Sequence, residues 1–200
     1  MKNIIIILDP AHGADVKGKC SPDGRHREYL WSRDRVKRLN SILTDLGYSV
    51  YVTTTSENEP GLSKRKNFAT QIRKGETKLL LSFHNNAASS GNTWCAARGV
   101  EVYTTPGVTK SDICADYILE QLKEDFPTFK MRYNKDVYLE RDKESNFTVL
   151  MGADYMGVLI EWLFQDNKQD VELLLDAETN KKFEQSIVEA IERINDHFKK

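Results

Sequence analysis

Two histidines follow apolar runs in this 200-residue chain, His12 shortly after residues 4–8 and His84 directly after residues 78–83. Both runs are short and almost wholly apolar, which is typical of strands buried on both faces of a parallel sheet. The carboxyl ends of such strands lie at one edge, where α/β proteins bind their ligands. We therefore expect the two imidazoles to meet at that edge, although each alone could equally be an ordinary loop histidine.

Two glutamates complete a set that could bind and use a metal. Glu28 stands where a helical pattern begins, and alone it could simply complement the helix dipole. Glu161 interrupts the apolar run of residues 157–164, where a carboxylate needs a cation, a metal or a polar cleft.

Two imidazoles and one carboxylate are a common ligand set for catalytic zinc, which lowers the pKa of its water to about 7. Glu161, with a pKa raised by apolar surroundings, could then carry the proton. The pattern alone leaves open a pairing of Glu161 with an arginine.

The elements that must position these side chains alternate between strands and helices. Strands are predicted at residues 3–8, 48–53, 78–83, 99–104 and 157–164, with residues 137–139 as a candidate edge strand and 147–151 fitting either state. Helices are predicted at residues 29–46, 62–74, 109–124, 170–175 and 178–198. This alternation predicts the α/β class: a single domain with a mostly parallel twisted sheet of about six strands and helices on both faces.

Composition excludes several classes of protein. Hydrophobic residues make up 40% of the chain and charged residues 30%, which is typical of a globular domain. The formal net charge of -1 offers no electrostatic basis for binding nucleic acid or an anionic membrane surface. The three cysteines lack the paired spacing of a disulfide framework or a zinc ribbon, so we expect free thiols from a reducing compartment. Cys20, between His12 and His26, is a weak candidate ligand.

Four short motifs occur in an order that resembles one enzyme family. They are Asp-Pro-Ala-His-Gly at residues 9–13, Glu28, Ser-Phe-His-Asn-Asn-Ala at 82–87, and Val-Leu-Ile-Glu at 158–161 followed by Phe164 and Asn167. The ordered set resembles the zinc-dependent N-acetylmuramoyl-L-alanine amidases of the Amidase_3 family over essentially the whole chain. Ala11 stands where that family usually has glycine. Trp162 replaces a small or aliphatic residue, and we expect it to reshape the substrate groove.

The resemblance implies a specific site and reaction. It implies one Zn²⁺ per chain held by His12, Glu28 and His84, with Glu161 as the catalytic carboxylate. Separately, we expect Asn86 to support His84. The substrate would be peptidoglycan, cut at the amide between N-acetylmuramic acid and L-alanine. Residues 1–200 would form the amidase catalytic domain. We expect a monomer with no appended cell-wall-binding module, no nucleic-acid partner and no membrane span.

Two other functions stay open at this point. A zinc peptidase or deacetylase acting on another amide would use the same ligand set, and a non-catalytic cell-wall-binding module could share the fold. The apolar run after Lys2 is too short for a secretory signal, so we expect synthesis in the cytoplasm. An enzyme of this kind would act on the cell wall after release as a phage-type endolysin, or as an autolysin exported by other means.

Overall fold

The structure is a computed structural model that describes residues 2–90, 92–134, 141–152 and 154–199. Its strands are β1 (Ile5–Pro10), β2 (Val50–Val52), β3 (Lys78–Asn86), β4 (Val100–Thr104), β5 (Lys143–Glu144) and β6 (Met156–Phe164). Its helices are α1 (Glu28–Asp45), α2 (Leu62–Gln71), α3 (Lys110–Asp125), α4 (Lys168–Leu175) and α5 (Ala177–His197). Among these residues, no helix is both long and apolar enough to cross a bilayer.

The strands of the described chain form one sheet in the order β2-β1-β3-β6-β4-β5. The first four of these strands are parallel, whereas β4 runs antiparallel to β6 and parallel to β5. The predicted α/β class with a mostly parallel sheet is therefore confirmed. The candidate edge strand at residues 137–139 lies outside the described residues. Cys20, Cys95 and Cys114 are free, as expected.

The two faces of the sheet are covered unequally. Alternate strand residues such as Leu81 and Ile160 enter a large core with α1, α3 and α5. The residues between them, such as Leu80 and Leu159, enter a smaller cluster that contains Ala69 of α2. Because strand side chains alternate between faces, His84 and Glu161 share the face of this smaller cluster. That face, which we call the open face, carries the site.

Two strands run further than the sequence pattern predicts. β1 continues through Pro10, because a proline at the last position of a strand forfeits little pairing. β3 continues to Asn86, so His84 lies inside the strand rather than after it. Residues 147–151 are neither strand nor helix; residues 148–150 form a turn, in which the Leu150 backbone N–H donates to the Phe147 carbonyl at 2.9 Å.

A β-bulge interrupts the pairing of β3 with β6. His84 pairs with Glu161 and Asn86 with Phe164, so two residues of β6 oppose Asn85 alone. The bulge residue Leu163 has a φ of 63°, a left-handed conformation that is rare for a branched side chain. The Asn85 amide holds the bulge by donating to the Trp162 carbonyl at 2.7 Å.

Candidate metal centre

Three side chains from distant parts of the chain meet at the carboxyl edge of the sheet. Glu28 Oε1 lies 3.3 Å from His12 Nε2 and 3.0 Å from His84 Nδ1. The two imidazole rings are 5.0 Å apart and almost perpendicular, at 89°. All three candidate donor atoms lie within 4.8 Å of one another, which is close enough to bind one ion. The structure thus brings together the three residues that were predicted from the sequence as ligands.

Glu28 is the buried centre of this group. It is the first residue of α1 and only 1% exposed, and its Oε1 accepts the Asn85 backbone N–H at 3.1 Å. The Gln165 amide donates to its Oε2 at 3.3 Å. Burial acts to raise the pKa of Glu28, but hydrogen bonds and charge from His12 and His84 outweigh it, so the pKa lies well below its usual range. The carboxylate is therefore ionised, as a metal ligand must be.

The His84 imidazole responds in the opposite direction. Burial acts to lower its pKa, yet the hydrogen bond and the charge of Glu28 raise it above the usual value. His84 therefore holds a second ring proton more tightly than a free imidazole does. Since a metal binds neutral imidazole, protons compete with a metal for this ring.

Two arginines donate hydrogen bonds to the turn that carries His12. His12 has a φ of 49°, an uncommon conformation for a residue with a side chain. Its carbonyl accepts Arg33 Nη1 at 2.9 Å and Arg65 Nη2 at 3.1 Å. These contacts favour the single backbone conformation that turns the His12 ring toward Glu28.

Asp9 and Arg65 form a buried ion pair beneath this turn. Arg65 is 2% exposed, and its Nη1 lies 2.8 Å from Asp9 Oδ1. Ser82 donates to Asp9 Oδ2 at 2.6 Å, and Thr53 donates to Oδ1. The sequence pattern indicates Asp9 only as a strand end and part of a motif, and Arg65 was not predicted to belong to the site. The available signal was a cation on the inner face of the predicted second helix.

Glu161 lies next to the three candidate ligands without joining them. It pairs with His84 in the sheet register, and its Oε2 atom is buried with no hydrogen-bond partner among the described residues. Burial raises the pKa of Glu161 to about 7, because the nearby positive charge of His84 offsets only part of the effect and Glu28 adds to it. No arginine of the described chain forms an ion pair with it. Such a carboxyl group can exchange a proton near neutral pH.

This raised pKa makes the stability of the metal-free protein depend on pH. Between an unfolded pKa of 4.5 and a folded pKa of about 7, the folded chain keeps a proton that the unfolded chain has lost. The free energy of unfolding therefore falls as pH rises through this window. At pH 8, Glu161→Gln should stabilise the metal-free protein by about 1–3 kcal/mol, and at pH 4 by much less. Urea unfolding of both proteins at the two pH values measures this, and an equal difference at both would contradict it.

Asn85, not Asn86, supports the candidate ligands. The expectation for Asn86 is wrong, because its amide donates instead to Glu101 Oε2 at 2.8 Å. Asn85 gives its backbone N–H to Glu28, and its side-chain oxygen lies 2.9 Å from His26 Nε2. Cys20 and His26 do not belong to the group of three. Asn85 and Asn86 point to opposite faces of β3, and the sequence does not show which of the two approaches Glu28.

We expect Asn85→Ala to weaken metal binding by about 10- to 100-fold, as changes beside metal ligands typically do. The variant leaves His26 Nε2 and the Trp162 carbonyl without their partner, so the strand segment beside Glu28 loses its support. Competition with a chromophoric chelator measures the dissociation constant. Asn86→Ala is the matched control and should bind metal like the parent protein; equal weakening in both variants would contradict the assignment.

Trp162 does not shape the substrate groove, contrary to the expectation from sequence. It is fully buried and stacks on Phe183 of α5 at a ring distance of 4.4 Å. Its side chain points into the large core because it stands one residue after Glu161, on the opposite face. The substitution therefore alters packing rather than the open face.

Comparisons with known proteins agree with the fold and the motifs. The family model described as N-acetylmuramoyl-L-alanine amidase, Amidase_3, matches residues 6–193. The chain is 25% identical over 230 residues to the N-acetylmuramoyl-L-alanine amidase AmiC of Neisseria meningitidis serogroup B, covering 94% of this chain and 52% of AmiC. It is 25% identical over 192 residues to the probable cell wall amidase LytH of Staphylococcus saprophyticus, covering 96% and 58%. The chain thus spans just over half the length of these curated relatives.

Solved structures share the whole architecture. The N-acetylmuramoyl-L-alanine amidase of Clostridium difficile 630 superposes with a TM-score of 0.84 at 22% identity, covering 100% of both chains. The catalytic domain of CwlV from Bacillus (Paenibacillus) polymyxa var. colistinus gives 0.80 at 21% identity, covering 98% and 99%. At these identities the likeness establishes the fold. With the match over residues 6–193, it shows that this chain belongs to the Amidase_3 family of N-acetylmuramoyl-L-alanine amidases.

Proposed function

We propose that this chain is a zinc-dependent N-acetylmuramoyl-L-alanine amidase, in which His12, Glu28 and His84 hold the metal and Glu161 moves the proton. One observation carries the proposal: three donor atoms lie within 4.8 Å of one another, beside a carboxyl group whose Oε2 has no hydrogen-bond partner among the described residues. Family membership supplies the substrate class. Residues 1–200 act in this proposal as the catalytic domain.

The three candidate ligands fit zinc better than magnesium or calcium. Two imidazole nitrogens and one carboxylate oxygen are a donor set that suits zinc, whereas the harder ions prefer oxygen alone. Three protein ligands would also leave the metal accessible to water and substrate, as a catalytic zinc site requires. When bound there, zinc supplies a Lewis acid that polarises the amide carbonyl and lowers the pKa of water.

Glu161 then handles the proton of the reaction. Its partnerless oxygen accepts a proton from the attacking water, which forms a bond to the carbonyl carbon. When the carbon–nitrogen bond breaks, Glu161 returns that proton to the departing amine. The products are a free lactyl carboxylate on the muramic acid and a peptide with a free L-alanine amino group. A pKa raised toward neutrality suits a group that must both accept and donate.

Gln165 and Asn85 keep Glu28 in one orientation during this reaction. They donate to different oxygens of its carboxylate, Gln165 to Oε2 and the Asn85 backbone to Oε1. Oε1 is the oxygen that would hold the metal, since both imidazoles approach that atom. Because all four functional side chains come from one chain, the site is complete in a monomer, which is the form we propose. Action on the cell wall follows from the proposed substrate.

Digestion of purified peptidoglycan tests this function. Mass spectrometry should find peptides with free L-alanine amino termini together with intact glycan strands. A zinc peptidase would instead cut within the peptides, a deacetylase would release acetate, and a binding module would release nothing. Chelation should abolish the activity, and added Zn²⁺ should restore it; cleavage that persists in chelator would contradict the proposal.

A further inference from the structure

A row of charged side chains continues beyond Glu161 across the open face. Glu101 of β4 stands directly opposite Glu161 of β6 in the antiparallel register, so the two side chains are neighbours on one face. One strand further, Lys143 of β5 pairs with Tyr103 of β4. The sheet order therefore places His84, Glu161 and Glu101 on three successive strands, with Lys143 on the strand after them.

Glu101 is fully occupied by hydrogen bonds. Its Oε1 accepts Arg132 Nε at 2.6 Å and Lys143 Nζ at 2.8 Å. Its Oε2 accepts the Asn86 amide at 2.8 Å and the Tyr103 hydroxyl at 2.6 Å. The carboxylate is only 4% exposed, so one negative charge lies buried under two cations. The group as a whole carries a surplus of one positive charge next to Glu161.

The Arg132 guanidinium is fixed in position and keeps donors available. Its backbone N–H donates to the Val100 carbonyl at 2.8 Å, and its guanidinium lies over the Phe164 ring at 5.2 Å. Only Nε is used on Glu101, while its two Nη groups have no partner among the described residues. The side chains of Arg132 and Lys143 are 29% and 28% exposed, which leaves both accessible from the open face. A guanidinium with a free Nη edge is well suited to a carboxylate.

We propose that Arg132 and Lys143 bind a carboxylate on the peptide half of the substrate, so that they select anionic stem peptides. This inference rests on the proposed function, in which the scissile carbonyl would lie at the metal held by His12, Glu28 and His84, and Glu161 protonates the departing nitrogen. The departing peptide then continues in the same direction, over β4, where these two cations lie. The glycan half lies on the other side of the ligands. A role limited to neutralising Glu101 would require one cation rather than two.

The test compares two synthetic substrates, a muramoyl-L-alanyl peptide with a free side carboxylate and its matched carboxamide. Arg132→Gln should lower kcat/KM for the acid by about tenfold to a hundredfold, mainly through KM. Cleavage of the carboxamide should change by less than about threefold, because its neutral group gains little from a cation. The ratio of kcat/KM for the acid to kcat/KM for the carboxamide cancels any effect of a variant on the hydrolysis step that both substrates share.

Two further variants make the result decisive. Arg141→Gln is the matched control, since Arg141 pairs instead with Asp116 and Glu120 at 2.9 and 2.7 Å, and its ratio should equal that of the parent. Lys143→Gln should lower the ratio in the same direction as Arg132→Gln, and it serves alone if that variant does not fold. Equal losses on both substrates would overturn the proposal. A parent enzyme that cleaves neither substrate would refute the proposed function itself, and the inference with it.

Discussion

Replacing Glu161 with glutamine should lower kcat by about 10²- to 10⁴-fold while zinc content stays at one ion per chain. Glutamine keeps the volume and the position of the side chain but can no longer accept a proton and return it. Because Glu161 lies beside the three candidate ligands rather than among them, metal binding should be unaffected. Release of free amino groups from peptidoglycan gives the rate, and atomic emission gives the zinc content.

Glu144→Gln is the matched control for this experiment, because Glu144 is an exposed residue of the edge strand β5. It should keep the activity and the zinc of the parent protein. Full activity in Glu161→Gln would refute the proton role. Loss of zinc from that variant would show instead that Glu161 is a metal ligand.

Glu28→Gln should weaken zinc binding by more than a hundredfold, which exceeds the typical effect of changes beside metal ligands. Glutamine has nearly the same shape, but it removes the negative charge that His12 and His84 both face. The variant should purify without zinc and show little activity until Zn²⁺ is supplied in excess. Isothermal titration with Zn²⁺ measures the affinity directly.

Glu178→Gln provides the comparison, since Glu178 is also an acidic residue in the first turn of a helix, here α5. If Glu28 only complemented the helix dipole, both variants would lose a similar small amount of stability and none of the metal affinity. Parental zinc affinity in Glu28→Gln would therefore remove Glu28 from the ligand set.

The fold was predictable because its strands are nearly continuous apolar runs. Leu79, Leu80 and Leu81 are each fully buried, and such runs have few alternatives to a strand covered on both faces. The orientation of β4 was not predictable, since Val100–Thr104 alternates in the same way whichever direction it runs. Strand ends were also displaced, because tertiary contacts extended β1 and β3 beyond their apolar cores.

The meeting of His12 and His84 followed from a simple rule, that parallel strands end at one edge, and Glu28 entered the ligand set through the family motifs. Their supporting residues did not follow, because these depend on distances that no local pattern encodes. Arg65 lies on the inner face of the predicted second helix, but no local pattern shows that it donates to the His12 carbonyl. Gln165 resembles an ordinary polar residue after a strand until it reaches Glu28.

The extra residue in β6 constrains how the length of this strand can vary. Past Leu163 the alternation of faces is reversed, so Phe164 lies under Arg132 on the open face while Gln165 points to Glu28 at the start of α1. Deleting one residue here would exchange the faces of Phe164 and Gln165. The ring under the Arg132 guanidinium and the amide that donates to Glu28 would then be lost together. We therefore expect this domain to tolerate insertions and deletions in its surface loops far more readily than at this one position of β6.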